Sequence, residues 1–362
     1  MQFSENVTTV TRTYVVPDLF SQINVGSPLA LMTLAENQEW VSGTAYEIPI
    51  KYALSTNGGV TGIADQLDSD REDNKTKFSF QPRSYYKPVV VASIEQHLNK
   101  GDERVLDLLT TEMHSQMQDL MEGWADQVYA GTGSGNQWSS IAMAADDGTN
   151  YGTYGTLSRT TIPNAIDGYY LASAGAVTLA KLATAYDATE KGTDSATGIF
   201  TTKLLWSAYE ALLTPTVNAH YTAAGSQMAS MTPDGIVVGK DGLSGTQGFR
   251  AVTYRGTPVM KDEHCPTTKI YLVNSRKNGK FRNFGFASID MSSESSFGKV
   301  NFSKELGDPQ GTFGSRKAPM GFSFRDMMMP VDQRANVGYL FLDGEICSAE
   351  PRLQGQLTGA TA

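Results

Sequence analysis

Apolar and polar positions alternate strictly at one place near the N-terminus. Tyr46, Ile48, Ile50, Tyr52 and Leu54 share one parity, and Glu47, Lys51 and Ala53 share the other. A period of two over this length predicts a half-buried β-strand. Asn57-Gly58-Gly59 breaks it, and a return strand is predicted from Lys77 to Tyr86, where Phe78 and Phe80 alternate with Lys77, Ser79 and Gln81. About 20 mostly polar residues lie between the two strands, against the roughly two to five of an ordinary hairpin loop. An isolated hairpin is marginal in water. Its apolar face (Ile48, Ile50, Phe78, Phe80) therefore needs a surface from elsewhere, and the hairpin reads as an interaction arm.

The period changes further on. Pro88 to Ile94 is an apolar, β-branched run that predicts a buried strand. Then Leu106, Leu109, Met113, Met117, Leu120, Trp124 and Val128 recur at steps of three and four. This spacing predicts one amphipathic helix over 102–130, roughly 42 Å long at 1.5 Å per residue. Gly101-Asp102 offers its N-cap region and Gly131 its C-cap. A helix of that length reads as the backbone of an elongated molecule.

Around these elements the pattern is weaker. Residues 1–44 carry scattered apolar anchors (Val15, Val16, Leu19, Phe20, Ile23), with Pro17, Gly26, Pro28 and Gly43 interrupting any regular element. They read as an arm. From Gly131 to Gly175 the chain turns to Gly, Ser, Thr, Asn and Asp, which predicts loops and short strands. A compact unit follows. It has an amphipathic helix over 176–191 with Val177, Leu179, Leu182 and Tyr186 as core, and a strand end running into a helix over 204–213. Short strands are predicted at 235–238, 249–254, 258–260 and 270–273. After a Gly- and Ser-rich stretch, residues 336–342 (with Val-Gly-Tyr-Leu-Phe-Leu) predict a last strand.

Composition narrows the function classes. The 362 residues are 40% hydrophobic and 19% charged, enough for a real core and unlike a disordered chain. Lys and Arg number 29 against 38 Asp and Glu, a net charge of −9 that argues against a dedicated nucleic-acid binder. No stretch approaches the roughly 20 apolar residues of a membrane span. Residues 1–10 lack the basic and apolar regions of a signal peptide. Cys265 and Cys347 are the two cysteines, too few for a disulfide framework, and read as reduced thiols.

Candidate chemistry is thin. Gly131-Thr132-Gly133-Ser134-Gly135 lacks the Lys-Ser/Thr of a phosphate loop and follows a helix instead of opening one. Asp262-Glu263-His264-Cys265 puts four potential ligands in a row, but consecutive residues cannot all converge on one ion. A turn is the simpler reading. The acidic run Asp68–Asp73 lacks the glycine and glutamate of a calcium loop. Four histidines offer few general bases. No catalytic, cofactor-binding or metal site is predicted.

The order of elements runs from arm to long hairpin, strand, very long helix, glycine-rich link, compact unit and returning strands. Within it stands Tyr254-Arg255-Gly256-Thr257-Pro258-Val259-Met260-Lys261-Asp262, then Cys265-Pro266 and Ile270-Tyr271-Leu272-Val273-Asn274. Together these resemble the major capsid proteins of tailed phages with the Hong Kong 97-type fold. The motif residues are Gly256, Pro258, Asp262, Pro266 and Asn274, with Gly256 and Pro258 shaping an edge or bulge and Asn274 capping a turn. The resemblance implies an α+β fold with an N-terminal arm (1–44) and an E-loop hairpin (45–88). A P-domain (89–160) follows with its spine helix (102–130), then an α/β A-domain (161–274) and a return through P-domain strands (275–362). It implies that the hairpin face meets the adjacent subunit, and that Leu106, Leu109, Met113, Met117, Leu120 and Trp124 face the body. Many members carry a long N-terminal scaffolding segment. Here the arm begins almost at Met1, so a separate scaffold, or none, is expected. Lys75, Lys77 and Asn274 do not align to the crosslinking chemistry of some members.

The function implied is a shell protein, not an enzyme. Copies would form hexamers and pentamers of an icosahedral virion head assembled in the bacterial cytoplasm. Partners would be itself, portal and scaffold or decoration proteins, and packaged double-stranded DNA without sequence-specific contact. No membrane or cofactor is implied. Two alternatives remain: an encapsulin-type nanocompartment shell, which shares the fold, and a carboxylate-based two-domain α/β enzyme.

Overall fold

The computed structural model describes residues 27–35, 38–40, 43–63, 67, 70–98, 108–162, 165–192, 194–213, 229–232, 235–238, 252–278, 281–289, 297–299, 322–331 and 334–362. Two six-stranded sheets share one long helix, Leu108–Ala130. The first sheet is built on the strand Ala335–Ser348. Arg83–Ala92 pairs with it antiparallel on one side, and Phe284–Ser288 and Phe322–Met328 pair with it antiparallel as well. Gln38–Glu39 and Phe297–Lys299 extend this sheet. The second sheet runs Val252–Tyr254, Thr257–Lys261, Gly198–Thr201, Ile270–Val273, Gly355–Leu357, Tyr169–Leu171, with parallel and antiparallel pairings mixed.

The second sheet explains its own continuous apolar runs. Phe200, Met260, Tyr271 and Val273 point into the core that contains the long helix. Their neighbours Ile199, Val259, Ile270 and Leu272 point into a second core. That core is closed by the helices Leu179–Thr189, through Leu182 and Tyr186, and Lys203–Leu213, through Leu205 and Tyr209. A sheet covered on both faces loses the alternation of a half-exposed one.

The long helix buries a wide face. Met117, Leu120, Met121, Trp124, Ala125, Val128 and Tyr129 are all in the main core, and Met113 packs partly buried at its edge. This i, i+3, i+4, i+7 set is broader than a single stripe because sheets lie on more than one side of the helix. Trp124 meets Phe286 of the first sheet and Trp138 edge-on at 4.7 and 4.9 Å, while Tyr129 meets Tyr271 of the second at 5.5 Å. Leu106 and the side chain of Leu109 lie outside the described residues, as do residues 99–107. The described helix starts at Leu108 and is preceded by a separate short one, Ser93–Leu98. Gly131 adds a last helical bond, its N–H donating to the Gln127 carbonyl at 2.9 Å. It must be glycine for space, since a Cβ there would overlap the Trp138 carbonyl.

Several expectations change. The hairpin strands are Tyr46–Lys51 and Lys75–Phe80, so Tyr52 and Leu54 fall beyond the ladder. The face Ile48, Phe78 and Phe80 is not left for an adjacent subunit. It is buried in this chain's own main core, with Ile50 packed partly buried beside it. Phe78 and Phe80 meet the ring of Tyr154 edge-on at 5.6 and 5.5 Å, and Gly155 (φ 52°) lets the backbone sit against Phe78. The surface the hairpin needs comes from the loop after the long helix, which periodicity could not reveal. The predicted return strand over 77–86 is really two strands, and Arg83–Ala92 runs through the boundary placed at 88. Its Val89 and Val91 are buried while Val90 is exposed, so the strand is half-buried, and Ile94 at the end of the predicted run lies in the next helix, Ser93–Leu98, and is exposed. Pro28 opens the buried helix Pro28–Ala35 instead of interrupting one, as suits a residue whose missing N–H is not needed in a first turn. The arm's earlier anchors (Val15, Val16, Leu19, Phe20, Ile23) lie outside the described residues. Leu179 is exposed, and 203–213 is helix throughout. Of the returning segment, Gly355–Leu357 joins the second sheet, not the first.

Phe78→Ala should therefore cost about 3–5 kcal/mol, as for a buried aromatic in any core. Urea unfolding followed by circular dichroism measures it. A change under 1 kcal/mol would place this face on the surface instead.

Candidate assembly surface

The residues that fold inward decide what is left facing out. Between the hairpin strands, the loop is braced by its own polar groups. The Tyr52 hydroxyl donates to the Asp73 carbonyl at 2.6 Å, and Asn57 Nδ2 donates to the Asp70 carbonyl at 2.7 Å. Thr56 donates its N–H (2.8 Å) and its hydroxyl to the Glu72 carboxylate, which these bonds hold below the usual glutamate range. On this frame Leu54, Val60, Ile63 and Leu67 stand in solvent, Val60 and Ile63 fully so. Isolated exposed apolar residues are ordinary, and these four make the loop a candidate for contact.

A second apolar surface lies on the first sheet. Where Arg83–Ala92 pairs with Ala335–Ser348, Tyr86 is opposite Phe341 and Pro88 opposite Tyr339. Directly opposed residues share a face. Tyr86, Tyr339 and Phe341 form an aromatic trio with centroids 6.0 to 6.3 Å apart. Val90 and Met328 extend it, and all of these point away from the buried Leu340 and Leu342. The predicted last strand thus has one face in the core and one half in solvent.

The motif residues are positioned by turns. Arg255 (φ 49°) and Gly256 (φ 85°) form the two-residue loop of a hairpin whose strands are Val252–Tyr254 and Thr257–Lys261. Both residues of such a loop need positive φ, which glycine adopts without strain. Pro258 lies one strand in from the sheet edge, not on an edge or bulge. It is opposite Thr253, one pair in from the turn, and precedes the parallel pairing that begins at Val259, so its missing N–H breaks no ladder. Asn274 Oδ1 accepts from the Arg276 N–H at 2.9 Å and its Nδ2 donates to the Ser195 carbonyl at 2.8 Å, closing the turn after its strand. The Pro266 carbonyl accepts from the Lys269 N–H at 3.0 Å.

Asp262 does more than end a strand. It is buried, and its Oδ2 accepts from the Ser27 hydroxyl at 2.6 Å and the Tyr129 hydroxyl at 2.8 Å, while Oδ1 accepts from the His264 N–H at 3.0 Å. Burial raises its pKa, and these donors oppose the rise. One carboxylate thus ties the segment before the first helix, the end of the long helix and the second sheet together. This role had no signal beyond the motif.

The glycine-rich segment is tied in a similar way. Arg83 donates to the carbonyls of Gly133 (2.7 Å) and Gly135 (3.1 Å) and to the buried carboxylate of Glu345, which accepts the Ser139 N–H at 2.6 Å. Its carbonyls turn toward a cation, the reverse of a phosphate cradle. Burial raises the Glu345 pKa against the pull of Ser139 and Arg83. Among the described residues no group of three His, Cys, Asp or Glu side chains is arranged to hold a metal, and no described helix is long and apolar enough to cross a membrane. Both cysteines are buried, free and raised in pKa by burial.

No protein-family profile and no curated protein sequence matches the chain. Solved structures match it along nearly its whole length. The cyanophage A-1(L) capsid asymmetric unit aligns over 99% of this chain and 99% of its own, with a TM-score of 0.65 and 16% identity. The fold is that of a phage capsid subunit. A Mycobacterium phage Adephagia chain shares the capsid fold at TM-score 0.53 and 10% identity, over 100% of this chain and 98% of its own. The SrpI encapsulin of Synechococcus elongatus shares it at TM-score 0.55 and 13% identity, over 100% of this chain and 96% of its own.

Two outcomes follow from the buried polar groups. Asp343 has its pKa raised by burial, with a hydrogen bond from Ser84 opposing the rise. A carboxyl raised on folding supports stability below its unfolded pKa, near 3.9 for aspartate, and loses that support as pH rises through the folded value. Asp343→Asn should therefore raise the urea midpoint at about pH 7 and leave it unchanged at about pH 3, where both side chains are neutral. An equal gain at both pH values would make charge burial the wrong cause. Asp262→Ala should cost about 3 kcal/mol or more, because it strands several buried donors at once. The same titration reads it, and a loss under 1 kcal/mol would contradict the three-way tie.

Proposed function

We propose that the chain is the major capsid protein of a tailed double-stranded DNA phage, self-assembling into hexamers and pentamers of an icosahedral head. The observation that carries this is the end-to-end alignment, in both directions, with a phage capsid subunit. In this reading 45–88 is the E-loop, the helix Leu108–Ala130 is the P-domain spine, and the second sheet with its two helices is the A-domain. The E-loop strands belong to the subunit's own core, so the part that reaches a neighbour is the loop, through Leu54, Val60, Ile63 and Leu67.

The energetic logic is multivalent. A single loop contact is weak, but each copy in a closed shell makes several, and ring closure multiplies them. A net charge of −9 suits a container. Each added Lys or Arg on phosphate would strengthen non-specific binding and oppose movement of the genome. Portal and scaffold or decoration proteins are the further partners of this reading, and the virion head its location. The buried thiols and charges work in folding, so no catalytic role is assigned. The encapsulin match supports a second reading in which the same shell encloses protein cargo.

Purified protein viewed by negative stain should show closed shells, and a monomer or small oligomer would overturn the proposal. Particles from the native source that carry DNA and a portal support the phage reading, and particles filled with an enzyme support the encapsulin one. Replacing residues 55–74 by a short Asn-Gly turn should leave the circular dichroism of the subunit intact. Sedimentation should then show no shells, or fragile ones. Full-strength shells from that variant would remove the loop from the interface.

A further inference from the structure

His264 lies between two carboxylates of the long helix. Its Nδ1 is 2.9 Å from Asp126 Oδ1 and its Nε2 is 3.3 Å from Glu122 Oε1. Glu122 and Asp126 are one helical turn apart, so both reach the same side of the helix. The imidazole is 11% exposed, while the carboxylates are 40% and 67% exposed. Its two nitrogens point at different carboxylates, so the three groups do not converge on one ion.

An ionised carboxylate only accepts hydrogen bonds. A neutral imidazole has one N–H and one lone pair, whereas imidazolium has two N–H groups. Two carboxylates on opposite ring nitrogens are satisfied together only by imidazolium. Loss of one proton leaves a lone pair facing a negative oxygen.

We propose that His264 is a proton-operated catch: protonated, it clamps the turn 262–265 of the second sheet onto the long helix, and deprotonated, it lets go of one carboxylate. The clamp works beside the permanent tie made by Asp262. It therefore changes how tightly the turn is held without unfolding either sheet.

The surrounding charges leave this assignment to His264. Glu263, next in the chain, is paired with Lys203 at the start of the helix Lys203–Leu213, which keeps its pKa low. Lys261 stacks over the Trp206 ring at 5.6 Å. Asp262 accepts the His264 backbone N–H and the Tyr129 hydroxyl. Burial raises the pKa of both Tyr129 and Cys265, so neither becomes an anion near neutrality. The clamp is complete only while the imidazole is protonated and both carboxylates are ionised, and it weakens when any of the three leaves that state. The inference concerns the subunit alone and holds whatever shell it forms.

The test is hydrogen exchange by mass spectrometry on the full-length chain, with rates corrected for the intrinsic effect of pH. Peptides covering 260–270 and 118–130 are followed from about pH 6 to pH 8.5, with sedimentation in parallel to hold the assembly state constant. Protection of the 260–270 peptide should fall roughly tenfold over that range, the scale of one charge-assisted hydrogen bond. In His264→Gln the fall should vanish. It should also vanish in Glu122→Gln/Asp126→Asn, whose amides can donate as well as accept and no longer demand imidazolium. That second variant keeps the test decisive if His264→Gln fails to fold. Flat protection in the wild type, or the same fall in a folded variant, would overturn the proposal.

Discussion

The structure depends on one helix having to satisfy two sheets at once. Leu108–Ala130 places Trp124 against Phe286 and Trp138 on one side and Tyr129 against Tyr271 on the other. An amphipathic helix on a single sheet needs an apolar stripe about a third of its circumference wide. A helix between two sheets needs more, and here it extends across Leu120, Met121, Trp124, Ala125 and Val128. Everything else is arranged around that shared wall. The hairpin strands and the helix Pro28–Ala35 fill the same core, and the second sheet turns one face to it and the other to its own two helices.

Such a wall leaves a problem at its ends, where apolar packing stops and chain segments must still be held. Buried charge solves it at two places. Asp262 gathers Ser27, Tyr129 and its own turn, and Glu345 gathers Arg83 and the Ser139 amide. Burying a carboxylate costs stability, as the raised pKa values of both show, and only the convergence of several donors offsets the cost. The return is geometric. These ties hold segments far apart in sequence in one arrangement, which apolar contacts alone specify less sharply. With the interior closed in this way, exposed apolar groups remain on the hairpin loop and beside the aromatic face of the first sheet.

The motif stretch from Tyr254 to Asn274 shows how local and distant demands meet. Gly256 answers a local need, since a two-residue hairpin loop requires positive φ. Asp262 answers a distant one: its partners Ser27 and Tyr129 are 235 and 133 residues away in the chain. The strands on either side were legible in the sequence, but Gly256 forms the two-residue turn between them and not the edge or bulge expected of it. Nothing near Asp262 in the sequence said that a carboxylate would be buried there.

Periodicity by itself determined the elements. The alternation around Ile48 and Phe78 required a strand pair with one face covered, and the three-four spacing from Met113 to Val128 required a helix. Element order with the short motif was enough to indicate the architecture. Only the tertiary structure decided what covers each face. The hairpin looked as if it lacked a core because its partner, Tyr154, lies in a glycine-rich loop with no pattern of its own. In the run Val337–Leu342, Leu340 and Leu342 are buried while Tyr339 and Phe341 are half-exposed, a split that the sequence does not mark because a half-exposed aromatic and a buried aliphatic read alike in it. A period records that a residue turns the same way as its neighbour two or four positions on. Which surface waits there depends on chain segments far away in the sequence, and that information exists only once they have packed.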